Sequence, residues 1–135
     1  MMECDAFTGL PNRGAFLRMV REAAEGFGSE GRFAVLFLNL DRFRTIMKMF
    51  DSPQDGRLLA AASGRMLRCA GEDGVVSRMG GDNFAMLLPG ADAETARGAA
   101  ARLVEQFRCP FVIAGQAVVV TASVGIAVHG GGASH

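Results

Sequence analysis

Hydrophobic positions along this chain switch between a helical spacing and short unbroken runs. Phe16, Val20, Ala23 or Ala24, and Phe27 recur at helical intervals behind Asn12, whose side chain suits an N-cap. Gly26, Gly28 and Gly31 break that pattern. Phe33-Ala34-Val35-Leu36-Phe37-Leu38 then runs apolar between Arg32 and Asn39, short enough for a central strand buried on both faces. A helix with Phe43, Ile46, Met47 and Phe50 inward follows. Ser52-Pro53-Gln54-Asp55 predicts a fresh helix start, with Ser52 as N-cap, Pro53 in the first turn and Asp55 at the positive end of the dipole. Leu59, Ala62, Met66 and Cys69 line its apolar side, and Gly71 ends it.

The next stretch reads as a hairpin: Val75 to Met79, a Gly80-Gly81-Asp82-Asn83 turn, and Phe84 to Leu88. Asp92 caps a helix with Ala96, Ala100, Leu103 and Phe107 inward, stopped by Cys109-Pro110. Phe111 to Ile113 is a short strand, Ala114-Gly115-Gln116 a turn, and Ala117 to Val128 one long strand. After its N-terminal helix the order is β-α-α-β-β-α-β. That order predicts an α+β, ferredoxin-like sandwich with one mainly antiparallel sheet and helices on one face. The expected domain is 1–128, with 129–135 a flexible tail opening at Gly130-Gly131-Gly132.

Composition narrows the function classes. A chain of 135 residues makes one domain, and its apolar half supplies a sizeable core. Fourteen basic residues balance fourteen acidic ones, so no global field would hold nucleic acid or an anionic membrane. No apolar run reaches membrane-spanning length, and the first residues lack a secretory pattern, so a soluble, cytoplasmic chain is expected. Cys4, Cys69 and Cys109 form no C-x-x-C pair, and His129 and His135 sit far from them in sequence. Idle or buried thiols are expected, not disulfides or zinc. The eight methionines fall mostly at core positions.

Taken alone, the hairpin is explained by the turn chemistry of its glycines, which also let a ligand approach the backbone, with Asp82 offering an anionic contact. Its neighbours change the odds. Arg78-Met79-Gly80-Gly81-Asp82-Asn83-Phe84 resembles the defining hairpin of the diguanylate cyclase (GGDEF) family. Asp5-Ala6-Phe7-Thr8-Gly9-Leu10-Pro11-Asn12-Arg13 resembles that family's D-x-x-T-G-L-P-N-R block, and Asn39-Leu40-Asp41-Arg42-Phe43-Arg44 its D-x-D-x-F-K strand end. Thr121-Ala122-Ser123-Val124-Gly125-Ile126-Ala127 resembles its T-x-S-x-G-I-A strand. The four blocks stand in family order across nearly the whole chain.

The resemblance implies a nucleotide-cyclase-like fold and the condensation of two GTP molecules to cyclic di-GMP by two facing domains. Metal ions held by carboxylates would neutralise the phosphate charge. It assigns catalysis to Asp82 and the position of Asn83, and metal binding to Asp82, the position of Asn39 and the Leu40 backbone. Nucleotide contacts fall to Gly80, Gly81, Arg44 and the positions of Met47 and Gly56. Several of these depart from the pattern. Asn39 and Asn83 replace acidic residues, so Mg²⁺ binding is expected to be weak. Asp41 survives, and strand alternation would allow it to share a side with Asn39. Met47 and Gly56 replace the pair that reads guanine, so GTP binding is expected to be weak as well. Arg44 reads equally as a phosphate contact or a solvated helix residue. The family's inhibitory R-x-x-D is absent from Gly71-Glu72-Asp73-Gly74, and its last helix would follow Val128. The expectation is a degenerate GGDEF domain. It would be catalytically inactive and would regulate, dimerise or sense nucleotides beside another signalling domain, such as a cyclic di-GMP phosphodiesterase. The alternative is a weakly active cyclase.

Overall fold

The computed structural model describes residues 4–25 and 31–130. The elements run α1 (Arg13–Ala24), β1 (Phe33–Leu40), α2 (Phe43–Met47), α3 (Asp55–Ala70), β2 (Val75–Gly80), β3 (Asn83–Pro89), α4 (Ala93–Gln106), β4 (Phe111–Ile113), β5 (Gln116–Val118) and β6 (Ala122–His129). Four strands form one sheet in the order β2-β3-β1-β6, with every pairing antiparallel. This is the ferredoxin-like arrangement: α2 and α3 carry the chain over β3 from β1 to β2, and α4 carries it from β3 to β6.

Alternation along the strands sorts the apolar residues into two cores. Ala34, Leu36, Leu38 and Leu40 of β1 share one face with Phe84, Met86 and Leu88 of β3, packed against Leu59, Ala62 and Met66 of α3 and Leu103 of α4. Phe33 and Val35 point the other way and join Ala85, Leu87 and Phe16 of α1 in a second cluster. Helices therefore cover both faces, not one, because β1 and β3 are apolar in both registers. Side chains such as Phe16, Phe84 and Phe107 are at most 2% exposed. Burial of each is worth about 1.5–3 kcal/mol. Phe37 interrupts the predicted burial of β1 at 51% exposure.

Local signals mostly act as read. The Asn12 side chain accepts from the Ala15 N–H, and Asp92 from the Thr95 N–H at 2.9 Å. Gly71 closes α3 at a φ of 79°. Four boundaries differ. α2 stops at Met47, so Phe50 packs on the core from the turn beyond it and not from the helix. The N-cap of α3 is Gln54, two residues after Ser52, and its side chain turns back to donate to the Ser52 hydroxyl. The long strand expected from Ala117 is broken at Val119–Thr121, where Val120 drops into the core with no exposure. β5 therefore pairs with β4 as a separate hairpin. His129 ends β6 opposite Phe33, stacked on its ring, one residue beyond the expected boundary. Gly26, Phe27, Gly28 and the tail from 131 onward lie outside the described residues.

Candidate functional site

β1 and β3 run side by side to the hairpin tip, and their register sets Asn39 directly opposite Asn83. The turn is tight: Gly80 pairs with Asn83, a bulge follows Arg78, and Gly81 takes a φ of 53°, a conformation that suits glycine. The Asn39 amide donates to Asn83 Oδ1 at 2.7 Å and to Asp82 Oδ1 at 3.4 Å. Beneath it, the Leu40 N–H donates to the Asp82 carbonyl at 3.0 Å, while the Leu40 side chain is wholly buried. Asn39, Leu40, Asp82 and Asn83 are thus brought together, and they present a single carboxylate.

Asp41 does not join them. Its N–H donates to the Thr121 carbonyl, and its carboxylate accepts from the Thr121 hydroxyl at 2.8 Å and the Ser123 hydroxyl at 2.7 Å. The two polar residues at the end of β1 therefore diverge, Asn39 toward β3 and Asp41 toward β6. Among the described residues, no three His, Cys, Asp or Glu side chains gather in a way that would hold a metal ion.

Beside the tip lies a cleft of about 450 Å³ that brings together Arg44, Gly56, Gly81 and Asp82, with Phe7, Phe43, Leu59, Asp55 and Arg78 also lining it. Met47 is buried and lines a neighbouring hollow of about 410 Å³ that shares Arg44, Pro53 and Asp55. Gly80 lines neither. The stretch Gly71–Gly74 is used in the turn from α3 to β2. A Cβ at Gly74 would come within 2.4 Å of the Ala70 carbonyl oxygen, so the backbone there admits no side chain.

The N-terminal loop contributes more than its motif foretold. Asp5 Oδ2 accepts from the Phe7 and Thr8 N–H groups and from the Thr8 hydroxyl, at 2.9–3.1 Å. Asp5 Oδ1 takes a 2.9 Å ion pair from Arg78, whose Nε and Nη2 both donate to the Gly81 carbonyl. Burial alone would raise the Asp5 pKa, but the Thr8 and Arg78 bonds outweigh it and hold the carboxyl below its ordinary value. Sequence reasoning missed Phe7 as a wall of the cleft; its only signal was the D-x-x-T spacing that builds the loop. Elsewhere, Cys69 is buried and its thiol is pushed up by that burial, in keeping with an idle role. No helix among the described residues is long and apolar enough to cross a membrane.

The family described as "Diguanylate cyclase, GGDEF domain" matches residues 2–134. Among curated relatives, the Pseudomonas aeruginosa cyclic di-GMP phosphodiesterase NbdA is 32% identical over 130 residues, covering 96% of this chain and 17% of that protein. The diguanylate cyclase DgcP of the same organism is 30% identical over 133 residues, covering 94% and 19%. Among solved structures, the GGDEF domain of Pseudomonas aeruginosa FimX superposes with a TM-score of 0.87 at 25% identity, covering 95% of this chain and 80% of that one. The chain thus spans about a fifth of the length of these curated relatives, which include both cyclases and phosphodiesterases. With the hairpin, the sheet order and this match over nearly its full length, the chain belongs to the GGDEF domain family of cyclic di-GMP signalling.

Proposed function

We propose that this domain is catalytically inactive and serves as a regulatory, dimerising or nucleotide-sensing module of a longer cytoplasmic signalling protein. One observation carries the reading: the Asn39 amide bridges Asp82 and Asn83. A hydrogen-bond donor stands between the groups that a divalent cation would have to link. Magnesium sites are built on carboxylates and phosphate oxygens, and here one carboxylate faces two amides. The residues present do not fit a resident Mg²⁺. Without it the charge that spreads over a transferring phosphate has no counterweight at the tip.

The cleft supports the sensing variant. Arg44 and an apolar floor of Phe43 and Leu59 line one hollow, a combination suited to a flat ring carrying phosphate. Guanine nucleotides such as GTP would bind weakly, since Met47 lies in the adjoining hollow and Gly56 has no side chain. Relatives that are phosphodiesterases support a neighbouring catalytic domain as the partner; a second copy of the domain is the other partner of this reading. Incubation with GTP and Mg²⁺ or Mn²⁺, followed by chromatography, tests the reading. No cyclic di-GMP is expected; product that disappears in Asp82→Ala would overturn it.

A further inference from the structure

Phe7 is a large ring left 56% exposed at the mouth of the cleft, yet its place is fixed. Its N–H is tied to Asp5, Asp5 is tied to Arg78, and the Arg78 guanidinium carbon lies 5.3 Å from the Phe7 ring centroid. A ring that is both exposed and pre-positioned costs little further entropy when something stacks on it. Gly56 lies directly against this ring: a Cβ built on it would fall 3.0 Å from Phe7 Cδ1 and 3.4 Å from Cε1. Comfortable carbon contacts begin near ~3.5 Å, so positions 7 and 56 compete for one space.

We propose that Phe7 decides what this cleft accepts: it is the wall on which a planar base stacks, and Gly56 is the gap that lets it stand there. The inference rests on the nucleotide-sensing reading and deepens it. Stacking is tolerant of base identity because every base has a π-face. A side chain at position 56 that would discriminate by hydrogen bonding would press on the Phe7 ring and move it from its place. The cleft therefore takes purine nucleotides as a class, with the ring on Phe7 and the phosphates toward Arg44. Phe7 is a binding and specificity residue, and takes no part in chemistry.

Calorimetric titration of the chain with ATP and with GTP tests this, on the wild type, Phe7→Ala, Phe7→Leu, Gly56→Asp and Phe7→Ala/Gly56→Asp, each shown folded by its thermal melt. The wild type should bind both nucleotides with similar Kd. Phe7→Ala should weaken both by about tenfold, with Phe7→Leu in between. Gly56→Asp should weaken both, because its side chain pushes the ring out of its stacking position. The double variant should recover GTP in preference to ATP, since a carboxylate accepts from the N–H edge of guanine. Wild-type binding that is unchanged in Phe7→Ala would overturn the inference and leave nucleotide sensing standing. No binding of either nucleotide by the wild type would overturn both.

Discussion

On one side of the hairpin tip, three nitrogens of Arg78 fasten the turn to the N-terminal loop, through Asp5 and the Gly81 carbonyl. On the other, Asn39 lies between Asp82 and Asn83 and joins them by neutral hydrogen bonds. The first cluster keeps its full charge pairing in a setting where Arg78 and Asp5 are only 14% and 16% exposed. The second sets one carboxylate beside two amides. The shape of this turn therefore does not depend on its acidity. Arg78 and the backbone hold the tip, so it keeps its form with a single carboxylate.

The largest expected effect breaks the structural side. Arg78→Ala removes the ion pair to Asp5 and both bonds to Gly81, and leaves a half-buried carboxylate without its cation. A loss of about 2–4 kcal/mol is expected, read as a lower urea midpoint with unchanged m-value. A loss within experimental error would mean that the turn stands without its strap.

A smaller effect comes from acid. The folded pKa of Asp5 lies below its unfolded value of about 3.9. Its contribution to stability is therefore complete above that unfolded value and is lost as pH falls toward the folded one. Urea midpoints of the wild type and Asp5→Asn should differ most at neutral pH and converge below about pH 4. A gap that stays constant with pH would show that packing of the loop, not the charge of Asp5, does the work.

Much of this was legible in the sequence where the cause is local. Helix spacing placed α1, α3 and α4, and the unbroken run at Phe33 placed the central strand. Asn12 and Asp92 cap because their side chains reach a backbone N–H three residues on, a distance set by covalent geometry. The tip residues were legible too, from the order of four motifs. What escaped depends on tertiary register. Val120 breaks the long strand because the core has a place for it, which no alternation pattern reveals. Asp41 turns to Thr121 and Ser123, some 80 residues away, instead of joining Asn39. The competition between Phe7 and Gly56 exists only once the N-terminal loop has been laid across the start of α3.

On the proposed reading, the tip departs from a working cyclase site at several points and not at one. Turnover of GTP by Asn39→Asp alone, in Mg²⁺, tests that most directly. The substitution sets a second carboxylate beside Asp82 and gives the cation a place, but leaves Asn83, Met47 and the Phe7–Gly56 pair as they are. Misplacement of a reacting group costs on the order of a hundredfold, and groups that act as a unit fail together. Mg²⁺ is expected to raise the melting temperature of Asn39→Asp more than that of the wild type while cyclic di-GMP stays undetectable. Robust cyclic di-GMP synthesis by this single variant would contradict it.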